Sequence, residues 1–269
     1  MKRHNVRSAV RTLVGNHGLL RALTRREVEV RYRGTVLGVL WAVLYPLTML
    51  AVYTFLFGLV FRARWPGTTD LPDFVLMLYC GLITYGIASE TLTRAPIAIS
   101  SQPNYVKKVV FPLELLPLSH LGAALVNAAI GFVLLMLFVI VRKHTLEPTG
   151  VAIPLVLAPL ALMVAGVAWF LAALGVFFRD IGQIINVVMT MLLSFSPVFY
   201  PVSAAPEFMR QIIYLNPLTY PIEEVRRVLV LGYWPDWSAW LLYSVAAVVI
   251  AASGLWVFQN ARPAFADVV

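Results

Sequence analysis

Glu90 is the residue of this sequence whose type and position most directly suggest chemistry. It lies within an apolar run that covers about residues 74–94, and a carboxylate inside such a run is costly unless it is paired or functional. Arg94 follows four residues later on the same helical face, where the two side chains can form an ion pair. We favour an intramembrane ion pair near the inner end of this run, and a proton relay is the alternative.

The sequence offers no catalytic or metal-binding constellation. His4 and His17 lie in a basic N-terminal arm, His144 lies in a predicted turn, and no nucleophile or paired-histidine zinc motif occurs. Cys80, the single cysteine, provides neither a disulfide nor a cysteine metal site. A P-loop is excluded because there is no Gly-Lys dipeptide. We therefore predict no catalytic, cofactor-binding or metal-binding residues, and a pump built on this chain would need its ATPase on another polypeptide.

Composition places the chain among integral membrane proteins. Apolar residues make up 60% of it, charged residues 13%, and the mean hydropathy is +0.82, whereas soluble domains carry roughly a quarter charged residues. Continuous apolar runs predict helices that cross a bilayer core of about 30 Å rather than barrel strands. Six runs qualify, at about residues 37–61, 74–94, 115–141, 152–178, 183–202 and 237–258. We predict an all-α membrane protein with six transmembrane helices, in which His120, Asn127 and Asn186 form hydrogen bonds between helices.

The distribution of basic residues predicts the orientation. Nine Lys or Arg precede the first run, against two acids, and no apolar stretch typical of a cleavable signal peptide occurs there. Positive-inside reasoning places this segment and, after six spans, the C-terminus in the cytoplasm, with 14 basic residues on the inner side and seven on the outer side. The excess charge lies beside the first span, where it favours anionic lipid rather than nucleic acid as its partner.

The predicted spans divide the chain into a membrane domain and two flanking cytoplasmic segments. Residues 1–36 are predicted to be a cytoplasmic interface segment, 37–258 the six-helix membrane domain, and 259–269 a cytoplasmic tail. Thr24-Arg-Arg-Glu27 matches a capping box, which predicts a helix from there to about Gly34. Its arginines face one side and its apolar residues the other, typical of an interfacial helix that either anchors the chain or binds a partner.

The connection over residues 95–114 contains a short basic segment between Pro103 and Pro112. Because a residue before proline disfavours the helical conformation, the segment should be a separate element. A compact basic element between two spans is suited to press on a cytoplasmic partner, and a solvated turn is the alternative.

The outer connection, residues 203–232, is predicted to contain two short helices. Pro206 to Tyr214 and Pro221 to Gly232 each carry proline in the first turn, the second ends at glycine, and Asn216-Pro217 marks the turn between them. The pair is predicted to form a re-entrant hairpin, and two helices lying flat on the outer surface are the alternative.

Aromatic residues recur inside the apolar runs, where their faces and hydroxyls could line a path for sugars. Most such aromatic residues are packing or interfacial anchors, which is the alternative for each of them. The candidate channel-lining residues are Trp41, Tyr45, Tyr53, Phe195, Phe199 and Tyr200.

Four segments together resemble a known family. They are Arg31-Tyr-Arg-Gly-Thr-Val-Leu-Gly-Val-Leu-Trp-Ala-Val-Leu-Tyr-Pro46, Lys107-Lys-Val-Val-Phe-Pro-Leu-Glu-Leu-Leu-Pro117, Phe178-Arg-Asp180 and Leu215-Asn-Pro-Leu218. In this order and spacing they resemble the type-2 ABC transporter permeases that export polysaccharides. The resemblance covers essentially the whole chain, and one departure is Gly34-Thr35 where the family is expected to carry a serine.

The resemblance implies a homodimer with two copies of a P-loop ATPase subunit, which would bind ATP and Mg, in a bacterial inner membrane. It implies export of a lipid-linked polysaccharide such as O-antigen, capsule or teichoic acid, and a periplasmic export partner is a further candidate. It also assigns residues to roles. The ATPase-coupling residues are Arg25, Arg26, Asn104, Tyr105, Lys107, Lys108 and Phe111, and the outer gate consists of Asn216, Glu223, Arg226 and Arg227. An ATP-independent carrier or channel, and a type-2 exporter of a drug or lipid, are the alternative functions.

Overall fold

The regular elements of the protein are helices in all the residues that its computed structural model describes, namely 12–13, 15–33, 37–62, 65, 70–107, 111–144 and 147–268. In chain order the α-helices are α1 (His17–Tyr32), α2 (Trp41–Tyr53), α3 (Leu71–Arg94), α4 (Pro103–Lys107), α5 (Leu115–Lys143), α6 (Ile153–Phe177), α7 (Ile181–Phe195), α8 (Glu207–Leu215), α9 (Thr219–Leu229), α10 (Trp237–Ala261) and α11 (Phe265–Val268). A π-helical stretch, Thr54–Val60, continues α2.

Five helices are long and apolar enough to cross a membrane, and they coincide with five of the six predicted spans. The remaining run, predicted at 183–202, forms α7, which has only 15 residues and extends for roughly 22 Å. The helix ends because Ser196 is extended, with φ −89° and ψ 149°, as expected of a residue that precedes proline. An all-helical membrane protein is confirmed, with five helices long enough to span a membrane, and the helix in the run at 183–202 is shorter than predicted.

The predicted start of the N-terminal helix is wrong. Helix α1 begins at His17 and continues through Thr24 without interruption, so Thr24 does not cap it. Instead the Thr24 side chain packs against α5, where a Cβ added at Gly122 would overlap it. Close packing with α5 therefore determines the position of Thr24, and the capping-box pattern is coincidental. The predicted end at Gly34 lies outside the described residues.

The core of the bundle surrounds α3. About 61% of the most apolar 18-residue stretch of Leu71–Ile97 is buried, against 6% of the corresponding stretch of Trp41–Val60. Helix α3 is therefore central in the bundle and α2 is peripheral. Helices α5, α6, α7 and α9 all pack on α3, while α10 packs along α6. That pair crosses at Gly166 and Gly254, where each glycine lies against the other helix's backbone.

The two predicted outer helices are present as α8 and α9. Leu215 ends α8, and the backbone turns at Asn216, whose Oδ1 accepts a hydrogen bond of 2.9 Å from Leu218 N. After α9 the chain leaves the helix, and Gly232 has φ +73°, a left-handed conformation that glycine adopts without strain. The predicted glycine follows the end of the helix, although α9 itself ends at Leu229, three residues earlier than predicted.

Candidate functional site

A polar junction joins three helices at the C-terminal end of α3. The Glu90 carboxylate forms an ion pair with Arg31 of α1, and Asn127 of α5 donates from Nδ2 to its two oxygens at 3.0 and 3.1 Å. The predicted Glu90–Arg94 pair is therefore wrong, because tertiary packing brings Arg31 to Glu90 from another helix. The interhelical hydrogen bond predicted for Asn127 is confirmed.

A second acid–base contact holds α1 on α5. Glu27 Oε2 lies 3.3 Å from His120 Nδ1. The contact with His120, together with the charges of Arg94 and Arg26, lowers the pKa of Glu27 against the opposing effect of burial. Glu27 therefore stays ionised on the folded protein at neutral pH, and the contacts at Glu27 and Arg31 hold the C-terminal half of α1 on the bundle.

The short helix α4 contacts α1 at the same end of the bundle. Arg26 Nη1 donates to the Tyr105 hydroxyl at 3.2 Å, and the Tyr105 ring stacks on Phe111 with centroids 4.4 Å apart. Asn104 and Lys107 are exposed beside them. Lys108 lies outside the described residues. Four of the predicted coupling residues, Arg26, Asn104, Tyr105 and Phe111, thus belong to one local cluster.

Arg25 lies on α1 but has different contacts. Its Nε is 2.7 Å from Glu29 Oε1, in a pair whose side chains are both well exposed. Such surface pairs contribute at most about 1 kcal/mol. Arg25 is therefore a solvent-facing charge that is accessible to a partner.

Sequence reasoning missed a buried carboxylate beside this cluster. Glu114 is only 2% exposed, and its Oε1 accepts hydrogen bonds from Gln259 Nε2 at 2.6 Å and Arg262 Nη1 at 2.9 Å. Arg262 also donates from Nη2 to the Phe111 carbonyl at 2.9 Å. The loop after α4 is therefore bonded to the C-terminal end of α10, and the only sequence signal was an acid inside an apolar run.

A cavity of about 680 Å³ lies between α2, α3 and α5. The end nearest α1 is lined by Arg31, Glu90, Arg94 and Asn127, and its walls are apolar and aromatic. The wall aromatic residues are Trp41, Tyr45, Tyr53, Tyr79 and Tyr85. Three of the six predicted channel-lining residues thus share one concave surface.

The other three predicted channel residues lie at the C-terminal end of α7 and just after it. Phe199 stacks on Phe57 with centroids 4.6 Å apart and packs at 4.9 Å from Tyr53. Tyr200 donates from its hydroxyl to the Ser194 carbonyl at 3.0 Å. Phe195 is 42% exposed on α7. None of the three lines the cavity itself, although Phe199 contacts Tyr53, which does.

Arg226 is the most tightly held of the predicted gate residues. It is 1% exposed, and its guanidinium donates to the carbonyls of Met77, Pro197 and Val198 at 2.9, 2.6 and 3.1 Å. It also forms an ion pair of 2.7 Å with Glu223, and its Cζ lies 4.5 Å from the Trp65 ring centroid. One side chain thus joins α3, the segment after α7 and α9.

The other predicted gate residues have fewer ties. Asn216 donates from Nδ2 to Ser196 Oγ at 2.8 Å, which connects the α8–α9 turn to the end of α7. Arg227 donates from Nε to the Trp234 carbonyl at 3.0 Å. The α8–α9 hairpin is therefore bonded to the end of α7 and to the segment that precedes α10.

Comparison with known proteins identifies one family and several relatives that are permeases or transport proteins. Residues 18–230 match the ABC-2 type transporter family. The O-antigen export system permease protein RfbA of Myxococcus xanthus is 28% identical over 262 residues, 96% of this chain and 98% of that protein. RfbA of Klebsiella pneumoniae is 26% identical over 252 residues, 93% of this chain and 95% of that protein. The polysialic acid transport protein KpsM of Escherichia coli is 26% identical over 214 residues, 79% of this chain and 81% of that protein.

Proposed function

Because the chain belongs to the ABC-2 type transporter family, we propose that it is the transmembrane subunit of an exporter for a lipid-linked polysaccharide. ATP hydrolysis on a separate nucleotide-binding subunit drives the export across a bacterial inner membrane. Relatives named for O-antigen export and for polysialic acid transport support a glycan as the substrate. The chain itself acts as a permease.

The cluster at the inner end of the bundle is the observation that carries this proposal. Arg26 contacts Tyr105, Tyr105 stacks on Phe111, and Arg262 connects the Phe111 carbonyl to Glu114. A push on α4 would therefore reach α1, α5 and α10 through direct contacts rather than through a flexible loop. Such an arrangement suits a surface that receives force from a partner.

The mechanism follows from this connection. Closure of two ATPase subunits presses on α4 and α1, and the strain passes along α5 and α10 to the outer end. Arg226 holds the α8–α9 hairpin to α3 and to the segment after α7, so the hairpin moves with these helices. Tilting of the helices would open the outer end for the polymer.

A homodimer would supply the second wall of the path. Only 6% of the most apolar 18-residue stretch of Trp41–Val60 is buried, and α7 also exposes apolar side chains such as Ile184, Val187 and Met191. These apolar faces suit contact with a second copy or with lipid. We place the glycan path between two copies, on the exposed side of α2 and next to Phe195 and Phe199. The α8–α9 hairpin, which we propose to be re-entrant, bounds this path.

Replacing Lys107 and Lys108 together with glutamate tests the coupling role. We expect the permease to reach the membrane at normal levels, while transport falls roughly tenfold or more, because placing like charges against an interface costs several kcal/mol. Stimulation of the partner's ATPase activity by the permease should fall in parallel. Transport is measured as surface polysaccharide, and ATPase activity on the purified complex.

The matched control replaces the same two lysines with arginine, which keeps both charges and should leave transport unchanged. Unchanged transport and ATPase stimulation in the glutamate variant would refute the coupling role of this segment.

An ATP-independent carrier would need Glu90 to exchange protons during transport. The contacts of Glu90 with Arg31 and Asn127 favour a structural role instead, since its carboxylate oxygens are already bonded to side chains of two other helices. Export of a drug or a lipid is the other alternative, and the names of the relatives favour a glycan over both.

A further inference from the structure

We propose that the cavity between α2, α3 and α5 is a binding slot for one anionic phospholipid, with the lipid phosphate at Arg94 and an acyl chain along the aromatic wall. The slot lies on the protomer side of α2, whereas the proposed glycan path lies on the exposed side. The inference does not depend on the proposed function.

The shape of the cavity is that of a slot rather than a pocket. Its lining along α3 runs from Arg94 to Tyr79, fifteen residues apart in the sequence, or roughly 22 Å along the helix axis. One leaflet of a bilayer contributes about half of a 30 Å hydrocarbon core. The slot is therefore long enough for a lipid chain together with its phosphate.

The middle of the slot is open because of a glycine. A Cβ added at Gly86 would meet no atom within 4 Å, although Gly86 lies inside α3 and lines the cavity. An open space at this depth, beside the loosely packed α2, must be filled by something apolar. A lipid chain is the filling that the membrane supplies.

The charges at the end nearest α1 select an anion. Arg31 and Glu90 neutralise each other in an ion pair, which leaves the positive charge of Arg94 in excess. No carboxylate lies within 4.0 Å of the Arg94 guanidinium in the described part of the chain, and its charge acts on Glu27 at longer range. Ser89 and Thr93 line the same end, but the Thr93 hydroxyl already donates to the Ser89 carbonyl at 2.7 Å, so the charged hydrogen bonds to a phosphate would come from Arg94.

Two single variants separate the phosphate end from the chain end. Arg94→Gln removes the cation, and Gly86→Leu fills the open middle without a backbone clash, since leucine is also a better helix former than glycine. The matched controls lie outside the cavity: Arg179→Gln at an exposed position, and Gly182→Leu, where an added Cβ also meets nothing within 4 Å.

Native mass spectrometry of the full-length protein, purified from membranes in mild detergent, measures lipid retention directly. With phosphatidylglycerol as the probe, we expect the wild-type chain to retain one copy and Arg94→Gln to bind it roughly fivefold more weakly, as expected for the loss of one cation near a lipid phosphate. Gly86→Leu should also lose the lipid, while both controls keep it. Phosphatidylcholine should be retained less, and millimolar inorganic phosphate should not displace the bound lipid.

Four results would overturn the assignment of a lipid to this slot. Equal retention of phosphatidylglycerol by wild type and Arg94→Gln would show that no phosphate binds at Arg94. Equal retention by wild type and Gly86→Leu would show that no chain enters the slot. Displacement by inorganic phosphate would indicate a free-anion site, and equal retention of phosphatidylcholine would indicate nonspecific annular lipid, and either result would overturn the proposal.

Discussion

Replacing Arg226 with leucine should destabilise the packing of the α8–α9 hairpin on α3 by about 3 to 5 kcal/mol, the effect expected when one partner of a buried charged network is removed. The variant loses four hydrogen bonds and leaves the carbonyls of Met77, Pro197 and Val198 without their donor. Nothing else in the described contacts joins these three segments through one side chain. The measurement is the thermal unfolding midpoint of the purified protein in detergent.

Two variants define the cause of the Arg226 effect. Arg227→Leu, at the next position, removes one side-chain hydrogen bond to the Trp234 carbonyl and should lower the midpoint far less. Arg226→Lys keeps the charge but cannot form the same fork of donors, so it should fall between wild type and leucine. Equal midpoints for the leucine variants at 226 and 227 would show that Arg226 does not hold the α8–α9 hairpin on α3.

Replacing Gly254 with leucine should separate α10 from α6. A Cβ at this position would overlap the Gly166 carbonyl oxygen and lie 2.7 Å from its carbonyl carbon. Because the obstacle is backbone, no rotamer change relieves it, and we expect a loss at or above the roughly 3 kcal/mol upper end of ordinary overpacking. The unfolding midpoint and the fraction of monodisperse protein after solubilisation should both fall.

Gly182→Leu is the control for the crossing, because the space beside Gly182 is open. Both variants add the same side chain to a helical glycine, so they differ only in what surrounds it. If Gly254→Leu were as stable as Gly182→Leu, the close α6–α10 crossing would not exist in the membrane.

The helices themselves were largely predictable because hydropathy and proline act locally. The five long spans, the two outer helices and the glycine stop at Gly232 follow from runs, caps and turns that lie close together in the sequence. The run at 183–202 was overestimated because Phe195, Phe199 and Tyr200 keep it apolar, while the conformation before Pro197 ends the helix. The end of the helix before Pro197 cannot be seen from hydropathy alone.

The pairing of charges could not be predicted in the same way. A spacing of four residues made Arg94 the natural partner of Glu90, yet Arg31 reaches Glu90 from α1, and its approach depends on how α1 docks. Glu114 and Arg262 are bonded across 148 positions of sequence. Such pairs depend on tertiary packing, which cannot be inferred from the periodicity of a single sequence.

Affinity purification of the tagged chain from its native membrane in mild detergent tests the central claim most directly, with partner identification and an ATPase assay of the eluate. We predict that a P-loop protein copurifies in an amount equal to that of the permease and that the eluate hydrolyses ATP. Recovery of the permease without any nucleotide-binding partner, repeated after cross-linking in the membrane, would contradict the account and favour an ATP-independent carrier.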